Sequence, residues 1–287
     1  MSSQITTAFV EQYSNNVTML SQQKGSLLRD NVDSETVQGK NAFFEQIGSV
    51  AAVKRTSRHG DTPQADTPHS RRRVSLVDYE YADLIDDQDK IRTLIDPTSS
   101  YAQAAAFAMG RAMDDEIIAA ATGTAFTGVS GGTSTSLPAG QAITESGTDG
   151  LTIAKLREAK RTFDLNSVDP SIKRYMVVSP RQIDDLLGTT SVTSADFNTV
   201  RALVTGEVNT FMGFEFIVSN RLSIASSKRL CFAYAADGIK LAVGKDVMSR
   251  IDERSDKGYS TQVYYCASFG ATRMEEEKVV SIQAHEA

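Results

Sequence analysis

The chain has 287 residues, 40% hydrophobic and 23% charged, with a formal net charge of −6. That length admits one large domain or two small ones, with a core that needs no staples. The acid excess argues against a dedicated nucleic-acid binder, whose affinity comes from surplus Lys and Arg, and no apolar run approaches the ~20 residues of a membrane helix.

Residues 5–28 carry Phe9, Val10, Tyr13, Val17 and Leu20 at close to helical spacing among Ser, Gln, Asn and Thr. One amphipathic helix is expected there, an arm that must dock on something else. The opening MSSQITTAFVEQ has neither the basic start nor the apolar core of a signal peptide, so synthesis in a cytoplasm is expected. Cys231 and Cys266 lie far apart, outside metal spacing, and read as small core residues of a reducing compartment.

Residues 41–56 and 74–84 read as extended; in the second, Val77, Tyr79 and Tyr81 alternate with Asp78, Glu80 and Ala82. Between them lies RHGDTPQADTPHSRRR, residues 58–73, with two of the three histidines and no apolar side chain beyond alanine and proline. A long hairpin with a polar tip is expected, and an isolated hairpin is marginal in water, so it calls for a partner. Six Lys or Arg fall in residues 54–73 against Asp61 and Asp66, while residues 78–89 hold six acids and no base. Such segregation suits complementary surfaces meeting between copies.

DPTSSYAQAAAFAMGRAMDDEIIAAATG follows. Ala102, Ala105, Ala106, Met109, Met113, Ile117, Ala120 and Ala121 trace one face, so a helix is expected over 99–123, about 37 Å long. Residues 123–150 read as a Gly, Ser and Thr loop. Helices are then expected at 151–165, from Pro180 and at 195–205, with strands at 175–178, 214–218, 230–234, 239–243, 261–269 and 279–283.

No catalytic or metal motif holds together. GVSGG, residues 128–132, matches the nucleophile elbow, but that serine needs a strand before it and a helix after it. Ser130 with His285 is the one hydrolase pairing available. GIKLAVGKD misses the P-loop in glycine spacing, and Asp246 stands where Ser or Thr should hold magnesium. DLIDDQD lacks the glycine and closing glutamate of a calcium loop. His59 and His69 have no third ligand at metal spacing. RRRVS is too short a match to a basic kinase target to carry weight. No cofactor is expected.

The stretch RRRVSLVDYEYADLIDDQDKIRTLIDPTSSYAQAAAFAMGRAMDDEIIAAATG resembles the centre of tailed-bacteriophage major capsid proteins of the HK97-type fold, and STQVYYCASFGATRMEEEKVVSIQ is similar to their closing strands. The resemblance implies an α+β fold with an N-terminal arm (1–35) and an extended β-hairpin loop (36–90). It also implies a peripheral domain (91–148 and 258–287) carrying the spine helix 99–123, and an α/β axial domain (149–257). It implies a non-enzymatic protein of the virion capsid, self-assembling as pentamers and hexamers around double-stranded DNA bound without sequence specificity. A separate scaffolding protein is expected, because the chain begins directly with the arm, and a portal is implied by the resemblance. The implied inter-subunit contacts join Arg58, Arg71, Arg72 and Arg73 of the loop to acids of a neighbour, with Asp83, Asp86, Asp87, Asp252 and Glu253 as candidates. An encapsulin-like cellular compartment is the alternative with the same fold.

Overall fold

The computed structural model describes residues 21–58, 60–62, 64–86, 98–144, 149–188 and 210–286. In chain order the elements are β1 (Asp33–Thr36), β2 (Asn41–Ile47), β3 (His69–Ser75), β4 (Val77–Ile85), α1 (Thr98–Thr122), β5 (Ala125–Thr127), β6 (Thr133–Thr135), β7 (Ala142–Ile143), α2 (Ile153–Leu165), β8 (Arg174–Val178) and α3 (Pro180–Gly188). Then come β9 (Thr210–Phe211), β10 (Phe214–Val218), β11 (Ile224–Ala225), β12 (Lys228–Ala235), β13 (Ile239–Arg254), β14 (Ser260–Arg273) and β15 (Val279–His285).

The long helix forms where the alanine-rich pattern placed it. Its fully shielded apolar positions, Ala105, Met109, Met113, Ile117 and Ala121, recur every four residues and so share one face. Small residues on that helix admit backbone. A Cβ on Gly110 would stand 2.5 Å from the carbonyl carbon of Gly25, so the incoming chain crosses the helix there and only glycine fits. One turn further on, buried Asp114 accepts the backbone N–H groups of Leu27 and Leu28 at 3.0–3.1 Å. A buried carboxylate meeting fixed N–H donors is the strong kind of hydrogen bond. These contacts explain a difference from the sequence reading: residues 21–28 are irregular and lead into a short 3-10 turn at Arg29–Asn31. The rest of the expected arm helix, and the helix at 195–205, lie outside the described residues.

β7 and strands drawn from residues 174–285 build a seven-stranded sheet in the order β7-β15-β12-β8-β10-β9, with β11 on the side of β12. β8 and β10 are parallel, as their α3 connection requires, whereas β12 runs antiparallel to both β8 and β15. Every residue of β8 is buried, the mark of a central strand covered on both faces. α2 covers the sheet by packing on β7 and β15, with the Phe163 ring 5.9 Å from that of Phe214. Thr152 caps it by accepting the N–H of Lys155. The closing strand β15 joins this sheet through seven register pairs with β12.

The expected hairpin is real but shorter. β2 and β3 pair antiparallel from Asn41↔Ser75 to Ile47↔His69, leaving residues 48–68 as the connecting loop. Seven residues of strand reach about 23 Å at ~3.3 Å each. The extended run expected at 74–84 is two strands belonging to different sheets: β3 joins β2, β5 and β6, and β4 joins β1, β13 and β14. The expected loop after the long helix likewise contains a small hairpin, β5 with β6.

The chain divides into two compact units. One contains the described parts of Met1–Ser26 and Asp78–Arg111 together with Asp246–Ala267; the other contains Leu27–Val77, Ala112–Lys245 and Ser268–Ala287. One division falls inside β13, which is buried from Leu241 to Val243 and exposed over most of its length beyond Lys245.

Candidate assembly surface

The arginine run sits within β3 rather than at the loop tip, and the two-residue period of a strand sends its members to opposite faces. Arg71 donates to Glu45 on the facing strand at 2.7 Å and to the Val129 carbonyl at 3.1 Å, and lies over the Phe43 ring. Arg73 stacks over Phe126, 4.7 Å from the ring centre, and its stem presses on Gly131, whose φ of +66° makes the β5–β6 turn. Arg72 points the other way. It is 7% exposed, donates to the Met274 carbonyl at 2.8 Å and pairs with Glu276 at 2.5 Å. All three are engaged inside their own chain.

Glu276 also approaches a second cation, with Oε1 3.6 Å from Nε of Arg273. Arg273 is fully buried. Its guanidinium donates to the carbonyls of Ala121 (3.1 Å), Gly123 (2.8 Å) and Thr135 (3.2 Å). It therefore satisfies the carbonyls that the end of α1 leaves open and ties them to the β5–β6 hairpin. Burial pulls its pKa down from the usual guanidinium value, opposed by the nearby Glu276 carboxylate.

The remaining sequence candidates are scattered. Arg58 is exposed, and its carbonyl accepts Nη2 of Arg55 at 2.7 Å, closing a turn within the loop. Asp83, near the end of β4, accepts the N–H of Leu84 and the Tyr81 hydroxyl. Asp86 is exposed, as are Asp252 and Glu253 near the end of β13. Asp87 and His59 lie outside the described residues. Beside Glu253, Arg254 forks onto Asp256 and holds that carboxyl at about 2.

Sequence reasoning missed Arg273, Glu276 and the C-terminal latch. Glu286 accepts Nε of Arg229 at 2.8 Å, Nη2 of Arg229 at 2.6 Å and the Gln182 amide at 2.8 Å. The Arg229 hydrogen bonds, foremost, hold its carboxyl at about 2. Lys155 donates to the carbonyls of Asp149, Gly150 and Gln283. MEEEK was visible as a charge run, but no local signal says which of its carboxylates turns inward.

The hydrolase pairing loses its scaffold. Ser130 is exposed on the β5–β6 turn, closed by Gly131 N–H donating to the Gly128 carbonyl at 2.9 Å. That is strand–turn–strand, without the helix that strains a nucleophile elbow. His285 is no frayed end; it pairs with Lys228 at the end of β15. Among the described residues no group of three or more His, Cys, Asp or Glu could hold a metal ion, and no helix is long and apolar enough to cross a membrane.

The whole chain has the fold of solved phage capsid chains, the HK97-like α+β architecture. It is similar to the capsid of the Cyanophage P-SCSP1u at 18% identity and a TM-score of 0.74, covering 99% of this chain and 95% of that one. The capsid of Ralstonia phage GP4 matches at 12% identity and a TM-score of 0.73, over 98% and 96%. The acidic stable capsid of Helicobacter pylori bacteriophage KHP30 matches at 11% and 0.74, over 96% and 95%. At such identities the likeness speaks for the fold. The family comes from the sequence: the phage capsid protein model matches residues 5–286, and the chain belongs to that family. No curated protein matches the chain in sequence. It is a major capsid protein, a structural component of the virion shell.

Proposed function

We propose that copies of this chain assemble as pentamers and hexamers into a closed icosahedral shell around packaged double-stranded DNA. The observation that carries this reading is the loop at 48–68. It spans 21 residues, the described ones without a strand or helix, and Ile47, Val50 and Val53 in and beside it are 57–67% exposed. A long loop with exposed aliphatic side chains is unfavourable on a solitary subunit and suits one covered by a neighbour. One similar chain comes from the capsid of a native GTA particle computed with C5 symmetry.

In this reading residues 1–35 are the arm, 36–90 the extended loop, 91–148 with 258–287 the peripheral domain and 149–257 the axial domain. Arg58, Asp86, Asp252 and Glu253, all exposed, are the candidates left free to face a neighbour. The shell acts as a container rather than an enzyme. A scaffolding protein and a portal complete assembly, and DNA contacts are sparse and sequence-independent. Sedimentation velocity with negative-stain electron microscopy tests the reading, on the chain alone and with a scaffold. Rings of five or six, or closed shells, are expected; a monomer or dimer in both samples overturns it.

A further inference from the structure

The outer face of α2 ends in a depression that is basic at its rim and apolar at its floor. Arg157, Lys160 and Arg161 line a shallow pit of about 480 Å³ together with Asp164, Leu165 and Met212. Their spacing along the helix puts the three bases on one face, with Arg157 and Arg161 about 6 Å apart along the axis. All three are exposed, and none has an ion pair among the described residues. The carboxylate in the lining is already engaged: Asp164 Oδ1 lies 2.9 Å from Nη1 of the buried Arg174. Glu158 does not line the pit. The rim therefore keeps a positive charge that its own subunit does not offset.

The floor comes from two apolar side chains. Leu165 is the last residue of α2 and is 75% exposed. Met212 is half-buried and sits in the turn between β9 and β10. Phe211 pairs with Phe214, so Met212 and Gly213 make a two-residue turn, with φ of +55° and +86°. A hairpin turn with positive φ at both central residues favours Asn or Asp before Gly. A methionine held there works against its backbone preference. Strain kept at one position is a pointer to use, and here the use is an apolar thioether placed in the pit.

We propose that this pit docks an acidic peptide segment of a different protein, one with a single large apolar side chain among Asp and Glu. The apolar side chain covers Leu165 and Met212, and the carboxylates meet Arg157, Lys160 and Arg161. Arginine and methionine are the residue types that interfaces enrich. Duplex DNA fits the pit less well. Its phosphates have nothing to place on an apolar floor, and three bases on a chain of net charge −6 release few counterions. The acids of a second copy are also poorly placed. Asp83 and Leu84 are successive residues of β4, so their side chains leave by opposite faces, and Asp83 already accepts the Tyr81 hydroxyl. In β13, Asp252 and Glu253 beside Ile251 are offset by Arg250 and Arg254.

The test is fluorescence anisotropy of the full chain with a fluorescein-labelled short peptide of Asp and Glu around one Leu. Binding is expected, roughly tenfold weaker for R157E/R161E and about threefold weaker for Leu165→Ser or for a peptide with Ser in place of its Leu. Met212→Asn separates function from folding. It suits the turn, so the thermal midpoint is expected to hold or rise while binding falls about threefold. A lower midpoint with unchanged binding in that variant makes the methionine structural and overturns the proposal. Absent peptide binding, or equal binding by the parent and R157E/R161E, overturns it too. A duplex oligonucleotide that binds as tightly as the peptide, and loses affinity in R157E/R161E but not in Leu165→Ser, overturns it in favour of nucleic acid. Particles lost on sedimentation of Leu165→Ser, with no peptide binding by the parent, assign the pit to a contact between copies and overturn it as well.

Discussion

Two basic stretches twelve residues apart behave in opposite ways. Arg71, Arg72 and Arg73 form the denser cluster, yet each is neutralised, stacked or buried within its own subunit. Lys54 and Arg58 form the sparser one and remain exposed on a loop. Charge density along a chain says little about which charges are free. A strand with neighbours on both sides supplies carboxylates, carbonyls and rings to its arginines; a loop tip supplies only its own backbone. The denser cluster therefore belongs to folding, and the sparser one stays exposed.

That contrast can be broken most forcefully at the buried cations. Arg273→Ala leaves the end of α1 without its donors and takes one cation from Glu276. Losing one member of a buried, hydrogen-bonded charge network costs about 3–5 kcal/mol, and urea unfolding is expected to fall by that order. Arg72→Ala belongs in the same range, because Glu276 keeps only the more distant Arg273. Arg71→Ala, at a half-exposed pair, is expected to cost about 1 kcal/mol or less. Equal losses at positions 71 and 72 would erase the distinction drawn within the run.

Gly110→Ala comes next. Alanine gains about 1 kcal/mol of helix propensity, but its Cβ would stand 2.5 Å from Gly25 and 2.6 Å from the Ser26 nitrogen. Backbone cannot yield as a flexible side chain does, so overpacking of about 1–3 kcal/mol decides the sign. Net destabilisation is expected in urea, with retained helical circular dichroism.

Acid should act on the C-terminal latch. The folded Glu286 carboxyl lies at about 2, below its ordinary value of 4.5. Its contribution is therefore complete above pH 4.5 and is lost as pH falls toward 2. Glu286→Gln is expected to lower stability at pH 7 and to flatten the decline between those pH values. An unchanged acid slope in that variant would remove Glu286 as its source.

The smallest expected effect on stability is at the loop. K54E/R58E should leave the unfolding midpoint of the isolated subunit within about 0.5 kcal/mol of the parent, as exposed substitutions usually do. A large loss there would mean that the tip is folded against its own subunit.

Much of the fold was legible because its signals are local. The four-residue spacing of Ala105, Met109, Met113, Ile117 and Ala121 needs only the geometry of one helix. Most strands of the seven-stranded sheet were visible as short apolar runs. The length of β13, in another sheet, was not, because it continues as an exposed, polar strand to Arg254, where no hydrophobic alternation marks it. The split of 74–84 into β3 and β4 was equally hidden, since a change of sheet at Leu76 alters pairing partners and not composition.

The candidate contact residues show the same limit. By itself the sequence determined the α+β class, the long helix, the hairpin, the lack of a catalytic motif and the likeness to capsid proteins, all carried by period, composition or extended similarity. Tertiary structure alone decided that Arg72 and Arg273 converge on Glu276 across 204 residues of separation or less. It also decided that Asp114 captures the incoming backbone and that an acidic cleft opens at the loop end of the β2–β3 hairpin. Those outcomes depend on which side chains meet after distant strands pair, and no property of a residue's neighbours in the chain encodes that meeting.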